Sequence, residues 1–357
     1  MMNTKARILI TGGAGFIGTN LAVSYLRDGH PVTVLDNLSR PGVEGNARWL
    51  RDRFPKSLRL ITADVRDPQA VGAAVRDSDV VFHFAAQVAV TTSLTDPLLD
   101  HSINTQGTLN VIEAIRTSRT KPTVVFTSTN KVYGSLEDVP LARNGSRYEP
   151  QDSVLARTGI GENQSLDFHS PYGCSKGSAD QYVRDYARCF GLKTVVFRMS
   201  CICGPHQQGT EDQGWVAHFV RSTLAKEPIV IYGDGYQVRD VLFVEDLVDA
   251  FRHAADNSTA LAGRVFNMGG GPNRATSILE VVNIIRRVTG IEPQLRFGEA
   301  RVGDQKWYVS DHSEFTRVSG WEPRATVEES VKQIAAWLKS EARSESNREG
   351  VGECVLR

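Results

Sequence analysis

A chain of 357 residues, 41% of them hydrophobic, has ample material for a core and is long enough for one or two domains. Its 41 Lys+Arg balance 41 Asp+Glu, which removes any global electrostatic case for nucleic acid or an acidic membrane surface as a partner. No apolar run reaches the length of a membrane span, Met1 to Lys5 opens no signal peptide, and the five scattered cysteines make no disulfide framework, so a reducing, cytoplasmic setting is expected. Cys201-Ile202-Cys203 has no second ligand pair, and no metal is expected.

The apolar run 7–11 is the pattern of a buried parallel strand. It enters Gly12-Gly13-Ala14-Gly15-Phe16-Ile17-Gly18, where Gly12, Gly15 and Gly18 keep a G-x-x-G-x-x-G spacing, and a periodic helix follows over 16–26. Such glycines permit a tight turn and bring a pyrophosphate to the helix N-terminus, where the dipole favours an anion. Phe16 and Ile17, inside the motif, are further candidate cofactor contacts. A second strand, 32–35, ends in Asp36, followed by Asn37. A carboxylate there accepts hydrogen bonds from the adenosine ribose hydroxyls and selects NAD over NADP. Arg40 pulls the other way, since an arginine can accept a 2′-phosphate.

The alternation continues with a helix over 47–54, a strand over 58–62 leading to Asp64-Val65, and a proline-started helix over 68–75. A fourth strand, 80–84, runs into Ala85-Ala86-Gln87; an amphipathic helix spans 104–118 from Asn104; a fifth strand, 123–127, leads to Ser128-Thr129-Asn130. This succession predicts an α/β fold with a Rossmann-type doubly wound parallel sheet. Ligands of such sheets lie outside the carboxyl ends of strands, and Gly12, Asp36, Asp64, Ala85 and Ser128 all follow such ends. Residues 134–169 read as a long polar connection, 172–190 as a helix and 194–198 as a strand. Beyond Gly204-Pro205 the alternation weakens, with helices over 216–225, 245–255 and 278–288 and a strand over 229–232. The expected division is a mainly NAD-binding domain, 1–198, and a smaller C-terminal substrate-binding lobe, 199–339, with segments around 237–267 returning to the first domain. Residues 340–357 are expected to form a flexible tail.

Tyr172 is the only one of nine tyrosines with a lysine, Lys176, four residues on. On a helix the two share a face. A neighbouring ammonium stabilises a phenolate and lowers its pKa from about 10, so that it can take a proton from a sugar hydroxyl. Lys176 can also hydrogen-bond the nicotinamide ribose.

Together, Gly12 to Gly18, Ser128-Thr129-Asn130-Lys131-Val132-Tyr133-Gly134 and Tyr172-Gly173-Cys174-Ser175-Lys176 resemble the extended short-chain dehydrogenase/reductases, in their sugar-nucleotide epimerase/dehydratase branch. The resemblance covers about residues 6–338. It implies bound NAD, a nucleotide-sugar substrate and a catalytic set of Thr129, Tyr172 and Lys176, with Thr129 bonding the reacting sugar oxygen. It further implies that Asp64 and Val65 contact the adenine, that Ala85, Ala86 and Gln87 border the pyrophosphate and sugar, and that Asn104 lies near the active site as a cofactor contact. Arg239 and Arg301 match arginines that grip the diphosphate, to which a guanidinium fork is suited. Gln87, Asn130 and His169 are candidate sugar contacts, and His169 can equally cap its helix. The resemblance also implies a homodimer or homotetramer built through helices 104–118 and 172–190.

The 4,6-dehydratases of this branch carry Asp-Glu after the threonine, because eliminating water needs an acid and a base. Here Asn130-Lys131 stand in that place, which leaves reversible oxidation and reduction, the chemistry of an epimerase. Residues 128–134, 166–177, 212–216 and 237–242 are similar to a subgroup that inverts C2 of a CDP-linked hexose, so CDP-paratose or a relative is the expected substrate. A 4-epimerase of a UDP- or GDP-sugar, a one-way oxidoreductase and a non-catalytic NAD-binding regulator are the competing expectations. Cys203 and His206-Gln207-Gln208 depart from the subgroup, in which Tyr and Arg-Gln-Phe are expected, where the substrate nucleotide should lie.

Overall fold

The computed structural model describes residues 5–301 and 304–354, with side chains up to residue 342. Its first half alternates β1 (Ile8–Thr11), α1 (Phe16–Arg27), β2 (Val32–Asp36), α2 (Val43–Arg53), β3 (Leu58–Thr62), α3 (Pro68–Arg76) and β4 (Val80–His83). Short helices α4 (Val90–Thr95) and α5 (Pro97–His101) lead through a π-helical turn, Ser102–Gln106, into α6 (Gly107–Thr117) and β5 (Thr123–Thr129). A hairpin of β6 (Leu141–Asn144) and β7 (Arg147–Pro150) and helix α7 (Ser153–Thr158) precede α8 (Ser170–Phe190) and β8 (Thr194–Met199). Then come β9 (Cys201–Cys203), α9 (Trp215–Ala225), β10 (Ile229–Tyr232), β11 (Val238–Phe243), α10 (Val244–Asp256) and β12 (Arg264–Met268). The chain ends with β13 (Ala275–Ser277), α11 (Ile278–Thr289), β14 (Leu295–Gly298), β15 (Trp307–Tyr308), α12 (Ser313–Ser319) and α13 (Val327–Cys354).

Seven strands form one sheet in the order β12-β8-β5-β4-β1-β2-β3, and every pairing is parallel. This is the doubly wound Rossmann-type sheet expected. The sequence of β1 shows why helices cover both faces. Successive side chains of a strand point to opposite faces. Ile8 and Ile10 pack into a cluster with Leu21 and Leu26 of α1 and Leu247 and Phe251 of α10. Leu9 packs instead with Val71 and Val75 of α3 and Val111 and Ile115 of α6. All three strand residues are buried, each burial worth about 1.5–3 kcal/mol. A strand so covered can be an uninterrupted apolar run. The order reverses between β1 and β4, both parallel neighbours, and their carboxyl ends open the crevice where ligands of such sheets sit.

Smaller sheets stand beside this one. β11 pairs with β9, β13 and β15, and β10 pairs in parallel with β14. A separate apolar cluster joins Val216 and Val220 of α9, Val281 and Ile285 of α11, and Val331 and Ile334 of α13. By contrast β12 extends the main sheet beside β8, and α10 lies against α1.

Several elements differ from the sequence expectation. The connection 134–169 is not a plain loop: it contains the hairpin, whose Gly145 (φ 56°) follows Asn144 in a two-residue turn, and α7, capped by the Asp152 side chain. The helix expected over 104–118 begins as the π-helical turn, which holds Asn104, and is regular from Gly107. Helix α13 continues through Cys354, so the expected tail is helical in backbone up to that residue. The last three residues of that expectation lie outside the described residues.

Candidate active site

The glycine turn between β1 and α1 is built on close backbone approach. At Gly12 (φ 66°) a Cβ would stand 2.7 Å from the Ala85 nitrogen, and at Gly18 it would stand 2.5 Å from the Gly12 oxygen. Neither neighbour can yield, so side chains are excluded from both positions. Helix α1 carries no acidic residue in its first turn, which leaves its positive end free for an anion. At the end of β2 the Asp36 carboxylate accepts from the Ala14 amide at 3.1 Å and the Leu38 amide at 2.9 Å. The Asp64 carboxylate accepts from Asn37 Nδ2 at 3.0 Å and from Arg66, which holds it well below the usual carboxylate range.

These parts face one cavity of about 810 Å³. Gly12, Gly15, Phe16, Ile17, Gly18, Asp36, Asn37, Asp64, Val65, Ala85 and Ala86 line it. On its far side are Thr129, Asn130, Tyr172, Lys176, Arg239 and Arg301. The fold thus gathers candidates spread over 290 positions of sequence onto one surface, with room for a dinucleotide and a second ligand. The cradle, the helix end and the Asp36 carboxylate fit NAD.

The reactive end combines β5 and α8. Thr129 ends β5, and Tyr172 lies in the first turn of α8; both line the cavity, and the Thr129 hydroxyl is near enough to favour the Tyr172 phenolate. Lys176 is 3% exposed; its ammonium donates to the Thr127 carbonyl at 2.6 Å and stands 4.3 Å from the Phe126 ring centre. Burial pushes the Tyr172 phenol up to about 12, partly countered by Thr129, and draws Lys176 down to about 7. The expected lowering of the phenol is therefore reversed in the protein alone. Removing water penalises both charged forms, and the ammonium is engaged with a carbonyl instead of the phenol.

The arginines are held by carboxylates at the cavity wall. Arg239 pairs with Asp304 at 2.7 Å, and Lys131 reaches the same oxygen at 3.3 Å. Arg301 pairs with Asp212 at 3.0 Å and stacks 4.0 Å from the Tyr232 ring centre. Asn130 donates to Gln305 at 3.1 Å.

Three candidates do not line the cavity. The Gln87 side chain is turned onto its own loop, bonding the backbone of Ala89, and Asn104 holds the Gln87 backbone from behind. Asn104 is 1% exposed, so burial in the scaffold replaces the cofactor contact expected of it. His169 is exposed at the start of α8, and its side chain makes no cap there.

Gln207, Gln237, Arg221 and Ser128 line the cavity with a buried polar atom that has no protein partner; of these, Arg221 carries no signal in the sequence, and none of the four is among the candidate site residues. A local signal existed for Gln237, immediately before β11 and two residues before Arg239, because positions i and i+2 of extended chain share a face.

The NAD dependent epimerase/dehydratase family matches residues 8–269. The chain is 39% identical to a CDP-paratose 2-epimerase of Salmonella typhi, with 94% of this chain and 99% of the relative aligned. It is 30% identical to a UDP-glucose 4-epimerase of Mycolicibacterium smegmatis, over 94% of this chain and 100% of that one. Among solved structures, the Thermus thermophilus UDP-glucose 4-epimerase in complex with NAD superposes with a TM-score of 0.76 at 29% identity, covering 93% of this chain and 99% of the other. With a glycine cradle, a carboxylate at the end of β2 and a Tyr-x-x-x-Lys helix on one cavity, the chain belongs to the NAD dependent epimerase/dehydratase family and takes NAD as its cofactor.

Proposed function

We propose that this protein inverts C2 of a CDP-linked hexose, CDP-paratose or a close relative, with Thr129, Tyr172 and Lys176 as its catalytic residues. The observation that carries the reading is that Thr129, Tyr172 and Lys176 line the same cavity that the glycine cradle opens. NAD, when bound, accepts a hydride from the sugar carbon and returns it. Tyr172 removes the proton of the sugar hydroxyl as that carbon is oxidised and gives it back on reduction. Thr129 holds the same oxygen, and Lys176 binds the nicotinamide ribose and supplies positive charge nearby. The keto sugar turns in the pocket between the two steps, so reduction reaches its opposite face.

Gly12, Gly15, Phe16, Ile17 and Gly18 bind the pyrophosphate end, and Asp36, Asn37, Asp64 and Val65 the adenosine. Arg239 and Arg301 take the substrate diphosphate, exchanging a carboxylate partner for it. A cytosine base finds support in Gln207 and Gln237. Each amide nitrogen donates to a backbone carbonyl, of Ile202 at 3.1 Å and Tyr232 at 2.6 Å, which fixes the amide and leaves the buried Oε1 as a free acceptor. Cytosine presents an amine donor where uracil presents a carbonyl. The lobe formed around β10, β11 and α9 is assigned to the sugar nucleotide. A homodimer or homotetramer through α6 and α8 belongs to the same reading, supported by Tyr182 and Phe190, 43% and 45% exposed on α8. So does residence in the cytoplasm; among the described residues no helix is long and apolar enough to cross a membrane.

The test is turnover of CDP-, UDP- and GDP-hexoses in D₂O, with products read by NMR. Direct oxidation at C2 returns the original hydrogen to C2 as hydride, so C2 stays protium. Deuterium at C2 requires a base at carbon and overturns the route. A primary isotope effect from substrate deuterated at C4, with none at C2, moves the chemistry to C4.

A further inference from the structure

Behind the cavity lies a carboxylate that the chemistry above does not use. Asp100, on α5, is 1% exposed. Its Oδ2 accepts from the Ser175 hydroxyl, and its Oδ1 accepts from Asn104 Nδ2 at 3.2 Å. The Asn104 amide cannot be turned round, because its oxygen accepts from the Gln87 amide at 2.9 Å and its nitrogen donates to the Gln87 carbonyl at 3.0 Å. That nitrogen also reaches Ser175 Oγ at 3.0 Å. The two Asn104 Nδ2 protons are shared among the Gln87 carbonyl, Asp100 Oδ1 and Ser175 Oγ, and the Ser175 hydroxyl, which also lies 3.2 Å from the Tyr172 carbonyl, makes its shorter contact with Asp100 Oδ2. Asn104 and Ser175 are neutral donors suited to an ionised Asp100; burial raises its pKa, and these two hydrogen bonds work against that rise.

Lys176 is its complement, a buried ammonium whose near contacts, the Thr127 carbonyl and the Phe126 ring, are neutral. Two carboxylates share its surroundings. Asp180, one turn further along α8, is occupied by Arg198 through two hydrogen bonds of 2.9 and 3.1 Å. Asp100 is bonded to the residue immediately before Lys176 and has no such cation on its hydrogen bonds. Arg198 offsets part of the Asp180 charge at contact distance, which makes Asp100 the second carboxylate that balances the lysine and the one without a cation on its own hydrogen bonds.

We propose that Asp100 is a positioning residue for the reaction assigned above: it is the counter-charge that keeps Lys176 an ammonium and sets the ionisation of Tyr172, with Ser175 and Asn104 holding it in place. Burial lowers Lys176, while Asp180 and Asp100 raise it; burial raises Tyr172, and Asp100 raises it further. The other charged or titratable groups around the site are accounted for. Arg40 opposes Asp100 at Tyr172, His101 adjoins Asp100 on α5, and His83 stays neutral beside Lys176 because burial holds it at about 3.

Asp100→Asn removes the charge and nearly keeps the shape. Without the negative field both Lys176 and Tyr172 titrate lower, so both limbs of the pH–rate profile should move to lower pH, by about half a unit or more. Ser175→Ala breaks the hydrogen bond but keeps the charge, and should lower the profile with its limbs in place. Loss of rate in Asp100→Asn with unmoved limbs would mean that Asp100 only packs, and would overturn the proposal. A second readout needs no sugar nucleotide. In the NAD-loaded protein, the ultraviolet absorbance of tyrosinate against pH, taken as the difference between each protein and its Tyr172→Phe counterpart, gives the Tyr172 midpoint directly. That midpoint should fall in Asp100→Asn; an unchanged midpoint refutes the assignment. A shifted midpoint with no turnover of any sugar nucleotide would keep the counter-charge and discard the substrate reading instead. If Asp100→Asn does not fold, Asp100→Ser gives the same comparison.

Discussion

The pair Arg198–Asp180 offers the sharpest test of how the site is held. Arg198 on β8 donates through Nε and Nη2 to the two Asp180 oxygens on α8, and through Nη1 to the Tyr133 hydroxyl at 3.0 Å. Tyr133 in turn donates to Asn267 on β12 at 2.7 Å. The charged side chains are 3% and 0% exposed. The pair thus joins the helix bearing Tyr172 and Lys176 to the sheet and to the turn that follows Thr129. Asp180→Asn leaves a desolvated guanidinium facing an amide nitrogen, and Arg198→Met leaves a desolvated carboxylate. Breaking one side of such a pair should cost about 3–5 kcal/mol. The double variant carries no stranded charge and should lose distinctly less than the sum, with a coupling on the order of 2–3 kcal/mol. Denaturant unfolding followed by circular dichroism, at fixed NAD because bound cofactor raises apparent stability, measures all four corners of the cycle. Single losses below about 1 kcal/mol, or an additive double, would show that water reaches the pair and that the strut does not exist.

Three further outcomes are expected. Tyr172→Phe should lower turnover by about 10²- to 10⁴-fold while leaving NAD binding intact, measured by product formation and cofactor titration; near-normal turnover would remove Tyr172 from the chemistry. NAD should bind more tightly than NADP, and Asp36→Ser should narrow that preference in paired titrations; a native preference for NADP would point to Arg40 instead. His83, bonded to Thr11 at 2.6 Å and Thr108 at 3.0 Å, has its pKa depressed by burial from 6.5 to about 3. Its contribution to stability is complete above 6.5 and is lost as pH falls toward about 3, because the unfolded chain binds the proton first. The slope approaches about 1.4 kcal/mol per pH unit, so the unfolding midpoint of His83→Gln should fall less steeply on acidification than that of the native protein.

The sheet was legible because a parallel strand covered on both sides is a continuous apolar run, as 7–11 and 123–127 are. The hairpin is not legible although Gly145-Ser146 makes its turn, because Arg143, Arg147 and Glu149 give its strands no apolar alternation. In the site, what was local could be read: the glycine spacing, Asp36 at a strand end, and a tyrosine and lysine one helical turn apart. What depends on distant partners could not. Asp304 meets Arg239 and Lys131 across 65 and 173 residues, and Asp100 meets Ser175 across 75. His169 adjoins the tyrosine segment in sequence, yet the chain enters α8 through Ser170 at φ 66°, and the histidine remains outside.

The departures at 203–208 carry a physical consequence. Cys203 is fully buried in the cluster of α9, α11 and α13, where it serves as a small apolar residue. His206 lies 4.5 Å from the Trp49 ring centre and 5.6 Å from that of Trp337, and burial holds it at about 4, so it is neutral near pH 7. Gln208 packs against Gly42, where a Cβ would stand 2.5 Å from its Cγ. The segment therefore joins the loop after Asp36 to the last helix. An arginine at 206 would put a cation on the cavity wall; the histidine supplies none. On the proposed reading, binding of the diphosphate then rests more heavily on Arg239 and Arg301, while Thr129, Tyr172 and Lys176 sit on β5 and α8, away from the substitutions. A difference in grip on the nucleotide is thereby compatible with an unaltered redox centre.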